Sequence, residues 1–157
     1  MRRNRFVFIM GAVLTAVLLT AFLAFAQSKE KKVKLKDLPA AVQKTIEEQS
    51  RGAKLRGLAE ETADGKTVYE VELTVNGHSK DMLIDPSGTV VEVEEEVALN
   101  AVPAAVQTAL ATQAGKGKIH KVEAITKGGT LVYYEAAVKA GRKTTEVKVS
   151  PEGTLVK

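Results

Sequence analysis

Few residues in this 157-residue chain could do chemistry, and they are scattered. There are two histidines and no cysteine. His78 follows an Asn76-Gly77 turn and His120 opens a strand-like stretch elsewhere. Two lone histidines lack ligand spacing, so surface positions account for them better than a metal or acid–base role. Glu92, Glu94, Glu95 and Glu96 could attract calcium, but calcium sites need converging oxygens, usually on a glycine-bearing loop. A solvated strand end that discourages edge pairing fits them better. Ser79 has no base near it in a recognisable arrangement, and no glycine motif for phosphate is present. The sequence therefore predicts no enzyme, no catalytic residue, no metal ligand and no bound cofactor. What remains is surface. Leu131, Tyr133 and Ala137 are expected on the face away from the core, where the first half of the chain carries Val68, Glu72 and Thr74. Leu83 is also expected outward. Exposed tyrosine and leucine on an open sheet can anchor a partner, so Tyr133, Leu131 and Leu83 are the candidate partner-binding residues. Packing between the two halves, or apolar residues merely scattered over the surface, is the alternative.

The elements that hold these residues are written twice. Leu38-Pro39-Ala40-Ala41-Val42-Gln43 returns as Val102-Pro103-Ala104-Ala105-Val106-Gln107, 64 positions later. Tyr69-Glu70-Val71 returns as Tyr134-Glu135-Ala136, and Asp85-Pro86-Ser87-Gly88-Thr89-Val90 as Ser150-Pro151-Glu152-Gly153-Thr154-Leu155, both 65 positions on. A fixed period decides the architecture. Each copy opens with a helix, 38–50 in the first, with Asp37 at its entrance and Pro39 in its first turn. Leu38, Ala41, Val42, Thr45 and Ile46 recur at helical spacing; Val102, Ala105, Val106, Ala109 and Leu110 repeat the stripe. Four strands follow in each copy: near 54–62 and 68–75, a third with Met82 and Ile84 inward and a fourth with Val91 and Val93 inward that ends at Glu94-Glu95-Glu96, then 119–126, 130–139, 143–149 and 154–157. Ala63-Asp64-Gly65, Asn76-Gly77, Gly128-Gly129 and Ala140-Gly141 make the turns. In 68–75, Tyr69, Val71, Leu73 and Val75 alternate with Glu70, Glu72 and Thr74, the pattern of a strand with one covered face.

The fold class is α+β: two tandem α-β-β-β-β repeats, each a helix packed on a four-stranded antiparallel sheet, after an N-terminal signal helix. The expected divisions are 1–26, a signal peptide or uncleaved anchor; 27–37, a flexible basic linker; 38–97, repeat 1; and 98–157, repeat 2. One copy of about 60 residues is marginal without disulfides or metal, so the copies should support each other through edge pairing or helix contact.

Charge and export follow from position. Arg2, Arg3 and Arg5 precede an uncharged run, Phe6 to Ala26, that closes Ala24-Phe25-Ala26. Basic head, apolar body and small-x-small end are the order of a secretory signal, with cleavage expected after Ala26. The chain is thus expected in the periplasm or outside the cell, touching membrane only through an uncleaved leader. Much of the formal net charge of +4 lies in that leader, which removes the main support for nucleic-acid binding. The remainder is divided: 38–97 hold 6 basic and 13 acidic residues, 98–157 hold 9 basic and 4 acidic. Opposite signs on sibling units would favour their association.

These motifs resemble the PepSY-like family, including its beta-lactamase-inhibitor-like members. The likeness rests on Leu38-Pro39, Tyr69-Glu70-Val71 and the Asp85–Val90 turn, with their second-copy counterparts, and departs mildly at Ala136 and Ser150. The resemblance implies an exported, non-catalytic module that binds another exported protein, with restraint of a peptidase or other envelope enzyme as the sharper expectation. No functional residue transfers with it. Two other roles stay open: an envelope structural or stress protein that self-associates through its oppositely charged repeats, and a small-ligand or metal carrier.

Overall fold

Two prolines set the two helices. α1 (Ala40–Gln49) follows Pro39 and α2 (Ala104–Ala114) follows Pro103, with φ of −55° and −53° at these prolines. A ring that fixes φ near this value costs nothing where no N–H is needed. No side chain caps either N-terminus. Instead Gln43 and Gln107 reach back, each Nε2 donating to the carbonyl of Leu38 or Val102 at 2.8 Å. Asp37, expected at the helix entrance, closes a 3-10 turn (Leu35–Asp37) ahead of it.

The computed structural model describes residues 30–63 and 65–156. The expected leader and its expected cleavage after Ala26, Asp64 of the first hairpin turn and Lys157 lie outside the described residues. Eight strands follow one another in space as in sequence: β1 (Lys31–Lys32), β2 (Lys54–Ala63), β3 (Lys66–Val75), β4 (His78–Ile84), β5 (Val90–Glu96), β6 (Lys118–Lys127), β7 (Thr130–Ala140) and β8 (Lys143–Val149). All neighbours are antiparallel, and they make one sheet. The copies support each other by edge pairing, since β5 of the first pairs with β6 of the second from Glu92↔Lys127 to Glu96↔Glu123.

Both helices lie on the same face of that sheet. Val42 and Ile46 of α1 are buried with Tyr69, Val71, Leu73, Met82 and Ile84. Val106 and Leu110 of α2 are buried with Val122, Tyr134, Ala136, Val138 and Val149. Met82 stands opposite Val93, and Val93 opposite Thr126, so the inward rows of the two copies are continuous. The helices cover this face; among the described residues the other has no helix over it, the arrangement that alternating antiparallel strands permit.

Three expectations are corrected. The stretch 27–37 is not a flexible linker in its described part. Lys31 and Lys32 pair with Glu60 and Ala59, and Val33 donates its N–H to the Leu58 carbonyl at 3.1 Å. The lysines alternate with Val33 and Leu35, which pack against the first core, so a charged run still has an apolar side. The fourth strand of the second copy shrinks to one bridge, Val149↔Leu155. The turn before it repeats faithfully: Gly88 and Gly153 donate to Asp85 and Ser150 at 2.9 Å. Leu155 thus takes the place of Val90, which sits opposite Ile84. Strict alternation also fails at two bulges, which move Val91 and Leu131 off their expected faces.

Candidate functional site: the open sheet face

The helix-free face is built from rows that cross the strands. One row reads Ala59, Glu70, Leu83, Glu92, Lys127. The next reads Gly57, Glu72, Asp81, Glu94, Ile125, Tyr133. A third ends Glu96, Glu123, Glu135, Lys148. The acidic half of the chain and part of the basic half therefore meet on one surface.

Leu83 and Tyr133 are on this face, as expected, but in different rows. Leu83 is half-buried between Glu70 and Glu92. Tyr133 stands beside the buried Ile125, with the Lys148 ammonium 5.2 Å from its ring centre. Leu131 is not with them. A bulge pairs Ile125 with Tyr133 but Thr126 with Leu131, so Val132 is the extra residue and Leu131 falls on the helix-bearing side, 37% exposed. One extra residue flips every side chain beyond it, and strict alternation could not foresee it. Ala137 faces Lys121 on the open face, and Val68 faces Glu61.

A cleft of about 470 Å³ opens at the end of this face near the Asp85 turn. Its floor is apolar, from Val68, Leu83, Pro86 and Val91, and Lys66, Glu92 and Lys127 stand at its rim. Val91, expected inward, is instead the extra residue of a second bulge, since Leu83 pairs with Glu92 and Ile84 with Val90, and Val90 takes the inward place beside Val93. The Asp85 carboxylate accepts from the backbone of Ser87 and Thr89 at 2.8 and 3.1 Å, which fixes the turn. The hydroxyl of Ser87 is the largest cause holding the Asp85 carboxyl below its ordinary value.

Arg56 is a positioning residue that the sequence pattern missed. It occupies the bulge between Leu55 and Gly57. Its guanidinium donates to Asp81 at 2.7 Å and to the Leu73 carbonyl at 3.1 Å, and lies 4.0 Å from Glu72. Gly57 beside it leaves space that the Glu72 carboxylate fills: a Cβ there would stand 2.7 Å from Glu72 Oε2 and would push that side chain aside. Among the described residues, no such cation stands against Glu70 or Glu94. Burial, then Glu61, Glu30, Glu72 and Asp81, push Glu70 up to about 7. Burial, then Glu123, Glu92, Glu135 and Asp81, push Glu94 up to about 7. Glu96 is the opposite case: the Ser79 N–H, bound at 3.0 Å, is the largest cause that lowers it. His78 is exposed beside Glu96, at 3.4 Å, and His120 lies on β6. Among the described residues, no group of three or more His, Cys, Asp or Glu is set to hold a metal ion.

The fold and its bare face define a tandem helix-on-sheet protein with one surface left open. The profile of the PepSY-like, beta-lactamase-inhibitor-like family matches residues 25–92 and again 67–157, and the chain belongs to that family. Three crystal structures share the fold. A protein from Bacteroides eggerthii, described as periplasmic, is 20% identical, with a TM-score of 0.63 over 76% of this chain and 86% of that one. A DUF2874 family protein from Bacteroides uniformis is 20% identical, with a TM-score of 0.60 over 76% and 86%. A protein from Bacteroides fragilis, described as BLIP-like, is 18% identical, with a TM-score of 0.57 over 76% and 84%. No curated protein matches the sequence.

Proposed function

We propose that this chain is an exported, non-catalytic protein that binds another exported protein on its open sheet face and restrains it, the partner being a peptidase or other envelope enzyme. The observation that carries this reading is the cleft beside Leu83: an apolar floor rimmed by charges of both signs, on a face that neither α1 nor α2 covers. Apolar anchors framed by polar groups are how surfaces hold partners. Export is supported by the basic, apolar and small-residue order of the leader, and by the periplasmic description of the Bacteroides eggerthii protein. Restraint is supported by the inhibitor-like description of the family, a fold-level warrant.

The test uses the exported chain as bait against an envelope extract, beside Leu83→Asp and Tyr133→Ala, with circular dichroism to verify folding. The wild-type chain should retain a specific exported protein that folded Leu83→Asp releases, and the purified partner should lose activity when the chain is added. Retention of the same protein by folded Leu83→Asp would place binding elsewhere, and an unaffected partner activity would remove restraint from the reading.

A further inference from the structure

The two edges of the sheet are finished differently. On one side β1 covers Ala59 and Glu60 of β2, and the bulge between Leu55 and Gly57 interrupts the rest. Covered and bulged edges resist pairing with another chain. On the other side β8 pairs with β7 at every residue from Lys143 to Val149, without a bulge. Its outer side is engaged near one end, where Val156 donates its N–H to the Lys148 carbonyl at 2.9 Å and Ser150 donates to Thr154 at 2.8 Å.

Backbone groups alternate in direction along an antiparallel strand. Because Lys148 points outward, Glu146 and Thr144 do as well. Neither has a backbone partner on that side among the described residues. In the first copy the matching edge is filled, with Asp81, the counterpart of Glu146, opposite Glu94 of β5. The side chains from Lys143 to Glu146 are all exposed.

We propose that β8 pairs antiparallel with β8 of a second copy of this chain, about a two-fold axis through Thr144 and perpendicular to the sheet. Such an axis keeps both helix pairs on one side, so a residue meets only residues pointing to its own face, and each allowed register is centred on one residue. Centred on Glu146, two carboxylates would oppose each other. Centred on Thr145, Arg142 would oppose Lys148. Like charges directly opposite are unfavourable. Centred on Thr144, the two Thr144 residues exchange N–H···O bonds, Lys143 meets Thr145, and Arg142 meets Glu146 twice. This register pairs opposite charges and opposes no like ones. It is an isologous contact, self-complementary by construction. The open faces of the two copies then lie side by side, and both remain available to a partner.

A short strand pair buries less than the roughly 1,000 Å² of a tight interface, so the dimer forms with rising concentration. Sedimentation of the exported protein across a concentration series should show its mass climbing toward twice that of one chain, more readily at low salt. Thr144→Pro removes an N–H that points away from β7, so the monomer should keep its circular dichroism and lose the dimer. Arg142→Glu and Glu146→Arg should each raise the dimer dissociation constant by about tenfold, as two exposed ion pairs become like-charge contacts. The Arg142→Glu/Glu146→Arg double variant should restore it. A mass that stays at one chain throughout overturns the proposal, as does folded Thr144→Pro that still dimerises, or a double swap that fails to rescue.

Discussion

Lys127 of the second copy and Glu92 of the first form an ion pair, 3.1 Å from Nζ to Oε2, across the seam where β5 meets β6. The acidic and basic halves of the chain touch here within a single molecule. The lysine side chain is half exposed, so screening leaves the pair about 0.2–1 kcal/mol. Lys127→Ala should lower stability by that amount in low salt and by less in high salt, read from urea unfolding at two ionic strengths. The seam itself rests on the backbone ladder, and both copies should still unfold in one transition.

Gly88 and Gly153 are the same device in the two copies. Each has φ of +89°, and a Cβ there would stand 2.8 Å from the Ala41 carbonyl oxygen or 2.9 Å from that of Ala105. The turn lies against the helix start, so backbone meets backbone and neither can yield cheaply. Gly88→Ala should cost about 1–3 kcal/mol, combining the left-handed conformation with the clash. Gly52→Ala, at φ +76° with nothing within 4 Å, should cost less. Urea midpoints of the two variants check the difference.

Protonation of the open face should stabilise the fold. Glu70 and Glu94 are raised from 4.5 to about 7, with burial the largest cause in each. The folded chain holds these protons more tightly than the unfolded chain. Their stabilisation is therefore complete below about 4.5 and is lost as pH rises through about 7. Glu94→Gln imitates the protonated acid. It should raise the urea midpoint at pH 8 and leave it unchanged at pH 4. Asp85, held low first by Ser87, works in the opposite sense: its contribution is present above the ordinary carboxylate value and fades as acid protonates it.

Ile46 and Leu110 are the largest helix side chains fully buried in the two cores, at 1% and 0% exposure. Truncating either to alanine should cost about 2–5 kcal/mol, the range for a large apolar side chain removed from a packed interior. Because the copies share one sheet, each variant should shift the whole unfolding curve. Separate transitions for the two variants, seen by circular dichroism, would contradict that.

The repeated motifs were enough to show that a helix follows each of Pro39 and Pro103, which way most strand residues turn and that the second copy copies the first. These features are local. A proline, a positive-φ glycine or an alternation of valine and glutamate acts over a few residues and reads directly from their order. Leu83 and Tyr133 could be placed on the open face for the same reason. What only the tertiary structure decided depends on register between distant segments. The bulges at Arg56, Val91 and Val132 each add one residue to one strand; the last sends Leu131 to the helix side, and the first aims Arg56 at Asp81. The joining of β5 to β6, the seating of Lys31 and Lys32 on β2, and the crowding that raises Glu70 and Glu94 arise the same way. Alternation has a period of two and carries no record of where one residue has been inserted, so these relationships exist only once the strands are side by side.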